Sequence, residues 1–202
     1  MESATRRLFL SAAVGAVTAA TGCLDGGDSS GDDGDLYGGD SSGTTVEDGF
    51  EFVTGAFEDG GTVPVRHTCD GEDVSPALSF DGLPDAAETL AVVVDDPDAG
   101  GFAHWLLWNV PADAGSIPGG IERADTVSEL DGARQGTNGF DEVGYRGPCP
   151  PRGDDPHTYR FTAYAVETTL DLDPGAEKGE LLDALDGPTL ATARLTGEYG
   201  RS

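Results

Sequence analysis

The sequence predicts a mainly β domain, a β-rich α+β fold with little helix, over residues 47–202. Three observations predict it. Thr89-Leu90-Ala91-Val92-Val93-Val94 and the stretches 103–110 and 158–168 are runs of apolar, aromatic and β-branched residues, the composition of buried strands. The chain's 31 glycines and 12 prolines punctuate most of what lies between. Only residues 176–185 space their leucines for a helix, with Leu181, Leu182 and Leu185 in a narrow stripe.

Taken in order, the chain opens on an address. Thr5-Arg6-Arg7-Leu8-Phe9-Leu10 is a twin-arginine pattern, followed by a small-residue apolar stretch, 11–20, too short to span a bilayer. Ala20-Thr21-Gly22-Cys23 then reads as a lipoprotein cleavage site. Residues 1–22 are therefore expected to be a signal peptide, with Cys23 the lipidated first residue of the mature chain. The alternative is an uncleaved hydrophobic anchor. The expected location is the outer face of the cytoplasmic membrane, with a lipid as the sole membrane contact.

Residues 23–46 are rich in Asp, Gly and Ser and cannot bury enough apolar surface to offset their ordering entropy, so they read as a flexible tether. Gly-Asp-Ser-Ser-Gly occurs twice there, at 27–31 and 39–43, and formally matches a serine-hydrolase nucleophile elbow. That motif needs a strand before it and a helix after it, and the Asp/Gly/Ser-rich sequence around it predicts neither. No calcium loop with a closing Glu follows either.

Within the domain, 51–57 and 77–80 read as short strands. The 89–94 run, ended by acids, suits a central strand. Pro111 ends the run from 103, and Pro188 precedes a last strand near 189–198. Alternation puts His104 on a face with Leu106 and Trp108, and Tyr159 on a face with Phe161 and, at its mouth, His157. All three polar rings reach one side of a sheet if these strands are near neighbours.

The net charge of -27, with 38 acids and a single lysine, Lys178, excludes a nucleic-acid partner, because no basic stripe exists to neutralise phosphates. Acid spread over the domain with lysine nearly absent fits a high-salt cytoplasm, where screening shrinks to a few ångströms.

The most chemically loaded segments are Asp95-Asp96-Pro97-Asp98, His104-Trp105, and Gly147-Pro148-Cys149-Pro150-Pro151-Arg152-Gly153-Asp154-Asp155-Pro156-His157-Thr158-Tyr159. With the stretch from Val63 to Pro76, Gly132-Ala133-Arg134-Gln135-Gly136, and the ending Leu195-Thr196-Gly197-Glu198-Tyr199-Gly200, these resemble the phosphatidylethanolamine-binding protein family. The likeness is to its bacterial and archaeal, Raf-kinase-inhibitor-like branch. It covers nearly the whole domain, with the motifs in order. It implies a large central sheet beside a smaller one, one or two short helices, and a small pocket for phosphate-like anions.

On that resemblance the pocket comprises Asp96, Pro97, Asp98, His104, Gly147, Pro148, Pro150, Pro151, His157 and Tyr159. The chemistry suits an oxyanion. Two imidazoles and a phenol can donate to it, more strongly when an imidazole is protonated. Asp96 would orient an imidazole or accept a ligand ammonium. His67 falls outside the pocket and reads as structural. Gly100 stands where the family often has proline, which implies a looser rim. Animal relatives cover the pocket with a C-terminal helix, whereas this chain stops two residues past Gly200, so a more open pocket is expected.

Once Cys23 is lipidated, Cys69 and Cys149 remain, and outside the cell a pair favours a disulfide. The alternative is two free buried thiols. The expected function is non-enzymatic binding of a small anionic or phosphorylated ligand, with no cofactor and no metal. The runners-up are a metal-dependent hydrolase using the His/Asp cluster, or an inhibitor of a protease or kinase acting through a surface loop. No His-Glu-x-x-His pair favours the former, and no reactive loop or protein target is marked for the latter.

Overall fold

A computed structural model describes residues 49–202. The expected leader, the lipidation site Cys23 and the tether lie outside the described residues. Two sheets pack face to face. A three-stranded sheet has the order β1 (Glu51–Thr54), β3 (Leu78–Asp81), β6 (Ser116–Ile117). A seven-stranded sheet has the order β2 (Gly61–Thr62), β10 (Thr189–Tyr199), β9 (His157–Val166), β4 (Thr89–Asp96), β5 (Phe102–Pro111), β8 (Ala133–Gln135), β7 (Thr126–Val127). Its pairings are antiparallel except for β2 beside β10. The single α-helix among the described residues is α1 (Lys178–Leu185). No helix among them is long and apolar enough to cross a membrane.

β4 is buried at every position because both of its faces are covered. On one face, Val92, Val94, Trp105, Leu107 and Phe161 meet Phe52, Leu78, Phe80 and Ile117 of the small sheet. On the other, Ala91, Val93, Leu106 and Trp108 meet Leu181 and Leu185 of α1. Each buried leucine contributes roughly 1.5–3 kcal/mol, which offsets the weak intrinsic stability of so short a helix. Leu182 does not join that stripe. It is 37% exposed, so the docking face is narrower than the sequence suggested.

The small strands end where the chain must turn. β1 stops at Thr54, whose hydroxyl accepts from the Ala56 amide. Phe57, expected at the end of that strand, instead packs onto the core from a bend, 5.7 Å from the Phe161 ring.

Two irregularities in the β4–β5 ladder reset which side chains face which way. Between Leu90 and Val92 the register shifts opposite Asn109, which sits at φ 59°. Its side-chain amide donates to the Leu170 carbonyl and its oxygen accepts from the Leu170 amide. The second shift lies between Val94, opposite Trp105, and Asp95, opposite Ala103. His104 is the residue left over. A bulge of this kind inserts one residue into a strand and reverses the alternation beyond it. Simple alternation therefore misplaces His104. Leu106 and Trp108 face α1, while His104 faces the small-sheet side with Trp105 and Tyr159. The three polar rings do share one side of the sheet, and the bulge is the reason.

Candidate functional site

The site lies at one end of the large sheet, where β4, β5 and β9 meet the 147–156 loop. Asp96 closes β4 and caps a one-turn 3₁₀ helix, Pro97–Ala99, by accepting the Ala99 amide on Oδ1 at 3.0 Å. Its Oδ2 accepts from Nδ1 of His157 at 2.8 Å. Both carboxylate oxygens are engaged, so Asp96 orients an imidazole. Asp98 accepts the Thr158 amide at 2.7 Å and ties the same turn to the start of β9. Its carboxylate thus serves the scaffold.

Gly100 ends the turn at φ 69°, a conformation closed to proline. Its amide donates to the Pro97 carbonyl, and the Gly101 amide donates to the Asp96 carbonyl. Lys178 donates to the Gly101 carbonyl at 2.8 Å. The rim that Gly100 suggested would be loose is held by three hydrogen bonds.

His104 is 3% exposed, and its Nδ1 donates to the Arg146 carbonyl at 2.8 Å. The rings of Phe102, Phe140 and Tyr159 meet it edge-on at 5.4, 5.6 and 5.1 Å. Burial among these rings pushes its pKa down, against the pull of the Arg146 carbonyl and Asp96. His157, nearer solvent, is pushed the other way by its hydrogen bond to Asp96. Their surroundings thus divide the two histidines. His157 is the cation-forming partner and His104 the neutral one.

Tyr159 lies between them, stacked on His157 at 6.4 Å and edge-on to His104. The residue is fully buried, and its hydroxyl has no hydrogen-bond partner among the described residues. Burial and the nearby Asp96 charge raise its pKa, so the hydroxyl stays a donor. The Asp96 carboxylate and the Cys149 backbone both lie close enough to act on the hydroxyl, but neither meets hydrogen-bond geometry.

The 147–156 loop is fastened from behind by residues that the sequence did not single out. Asp73 accepts the Gly147 amide at 2.7 Å and pairs with Arg123 and Arg146. A Cβ on Gly147 would sit 2.1 Å from the His67 carbonyl oxygen, so only glycine allows this approach. The Pro148 carbonyl accepts the Cys69 amide, and the Pro150 carbonyl accepts from Arg201. Pro151 is exposed. Cys69 and Cys149 are bonded, with Cα atoms 5.4 Å apart. Asp70 adds a second anchor through Arg152, Arg201 and Tyr199. His67 donates to the Val74 carbonyl, away from the imidazole pair.

The structure thus brings His104, His157, Tyr159 and Asp96 together, with Pro97 and Asp98 shaping the turn beside them. Gly147, Pro148 and Pro150 turn their backbone groups onto the scaffold. Among the described residues no group of three His, Cys, Asp or Glu side chains converges as a metal site. A cavity of about 530 Å³ lies elsewhere, lined by Phe52, Phe57, Arg194 and Leu195 among others, and contains none of these residues.

The family model described as phosphatidylethanolamine-binding protein matches residues 53–200. The chain belongs to the phosphatidylethanolamine-binding protein family. A UPF0098 protein of Methanothermobacter thermautotrophicus is 46% identical over 150 residues, covering 73% of this chain and 97% of the relative. Among solved structures, the Chlamydia trachomatis homologue CT736 has 34% identity and a TM-score of 0.69, covering 77% of this chain and 100% of that one. Escherichia coli YbcL has 31% identity and a TM-score of 0.71, covering 76% and 99%. The two-sheet family fold and the disulfide agree with the sequence expectation.

Proposed function

We propose that this family member is a binding protein for a small phosphate-bearing anion, of the kind found in a phospholipid headgroup. The observation that carries the reading is the Tyr159 hydroxyl, buried and unpartnered between two imidazoles. A buried donor left unsatisfied costs about 1–3 kcal/mol. An oxyanion would satisfy it, together with His157. The reading places no catalytic residue here. Asp96 is occupied on both oxygens, and the neighbouring Cys149 is tied in a disulfide. The proposed setting is the outer face of the cytoplasmic membrane, through a lipid on Cys23 and the acidic tether, with a halophilic source.

Calorimetric titration with phosphoethanolamine and inorganic phosphate tests the reading. His157→Ala should weaken binding by about 1.5–3 kcal/mol, the range for a hydrogen bond to a charged group, with the fold intact. The pH dependence follows from the raised pKa of His157. Protonated His157 persists above its ordinary value near 6.5, and affinity declines as pH rises through the shifted one. Equal affinities for wild type and His157→Ala would overturn the proposal.

A further inference from the structure

Resting on that reading of the pocket, we infer that it selects an oxyanion that still carries a proton. A phosphate monoester in its monoanionic form should bind well, and an aprotic sulfate ester of the same charge should bind poorly. The argument is one of donors and acceptors. A carbonyl oxygen only accepts, so the 2.8 Å contact between His104 Nδ1 and the Arg146 carbonyl requires the proton on Nδ1. In the neutral ring Nε2 is then a bare lone pair. Nε2 is also the only ring nitrogen left to meet a ligand. Adding a proton there would bury a charge in a residue 3% exposed and walled by Phe102, Phe140 and Tyr159.

The charged and titratable groups around the two rings reinforce the division. His104 feels Asp96 from β4, Asp73 from behind the loop, the Gly147 backbone and the Tyr159 phenol from β9, and of these neighbours and Arg146 only the Arg146 carbonyl meets hydrogen-bond geometry. His157 feels Asp96 in direct contact, with Asp98 from the 3₁₀ turn and Asp154 from the loop. Its Nδ1 donates to Asp96, and its Nε2 is the second donor of an imidazolium. The site therefore presents donors on His157 and Tyr159 and one acceptor on His104. A fully deprotonated oxyanion would set an oxygen lone pair against the lone pair of Nε2. An oxyanion with one P–O–H group supplies the missing donor and uses the other oxygens as acceptors.

Methyl phosphate and methyl sulfate separate the cases, because below the second phosphate ionisation, near pH 6, they match in charge and shape and differ by one proton. Titration calorimetry on the full chain at about pH 5.5 should show methyl phosphate binding at least roughly tenfold tighter, as expected when an unpaired buried acceptor replaces a hydrogen bond. That preference should shrink as pH rises through the second ionisation. Methyl sulfate, whose protonation does not change there, reports the contribution of His157 alone. His104→Asn keeps a side-chain N–H for the Arg146 carbonyl and removes the acceptor from the Nε2 position, because the amide oxygen is bonded directly to Cγ and falls short of that point, so the preference should collapse in this variant. Equal affinities at low pH, an undiminished preference well above pH 7, or full discrimination in folded His104→Asn would overturn the inference while leaving the anion reading in place. Binding of neither ester would overturn both. Should His104→Asn fail to fold, the wild-type comparison decides alone.

Discussion

Asp95 and Asp96 are neighbours on β4, both nearly inaccessible, and the two faces of the sheet use them in opposite ways. Asp95 faces α1. It accepts Nε and Nη2 of Arg160 in a bidentate pair and also binds Lys178, the only lysine in the chain. Burial pushes its pKa up, but the two cations outweigh that and hold it below the usual carboxylate range. Asp96 faces the other way and receives a titratable imidazole and a backbone amide. One carboxylate is saturated by permanent charge and locks α1 to the sheet. The other is matched to a group that can gain or lose its proton, beside a hydroxyl with nothing to bind. Saturation gives rigidity, and incomplete pairing gives chemistry.

The sharpest way to break the comparison is to remove the saturated carboxylate. Asp95→Asn leaves Arg160 and Lys178 without a counter-charge at a largely buried position. Breaking such a pair from one side costs about 3–5 kcal/mol. Thermal melts should show a large fall in Tm, while anion affinity of the folded protein stays near wild type because Asp96, His157 and Tyr159 are untouched. A matching loss of anion affinity would mean that the two faces are not independent.

The anion-site face holds its loop by a covalent link. Cys69 and Cys149 lie 80 residues apart in sequence, and closing a loop of that size is worth on the order of 4 kcal/mol in the chain-entropy model. Replacing both with alanine should lower the denaturation midpoint and, unlike Asp95→Asn, also weaken anion binding, since Gly147–Cys149 would be held only by Asp73 and the Cys69 amide. Urea titration and calorimetry on the same samples check both. Unchanged affinity would show that the hydrogen bonds suffice to position the loop.

The comparison also explains what was legible beforehand. The long strands were readable because continuous apolar runs admit little else, and the pocket residues because Pro and Gly motifs mark them. The facing of His104 was not readable from alternation. Its strand is apolar on both sides, so hydropathy carries no phase, and one inserted residue reverses the pattern unseen. Asp73, Arg123 and Arg146 were missed for a related reason. Their ion pairs join segments far apart in sequence, and in so acidic a chain one more aspartate carries little signal. Arg146 was the nearest thing to a clue, being the residue immediately before Gly147. The opposed behaviour of the two histidines was equally hidden. Composition treats imidazoles alike, and only the surroundings, three aromatic rings for one and a carboxylate for the other, divide them.

The smallest expected effect on stability comes from Tyr159→Phe, and it tests the unsaturated side most directly. The phenyl ring keeps its place between the two imidazoles, so packing changes little. The hydroxyl it removes is buried and has no partner among the described residues. Deleting an unsatisfied buried donor relieves its desolvation cost, so the variant should be unchanged in stability or more stable by up to about 1 kcal/mol. Anion affinity should move the other way and fall by about 1.5–3 kcal/mol, because the raised pKa of the phenol keeps it a donor throughout the accessible range. Thermal melts and titration of the two proteins side by side give both quantities. A loss of more than about 1 kcal/mol in stability would mean that the hydroxyl is satisfied within the protein. In that case Asp96's face would be as saturated as that of Asp95, and the site would have no open donor to offer a ligand.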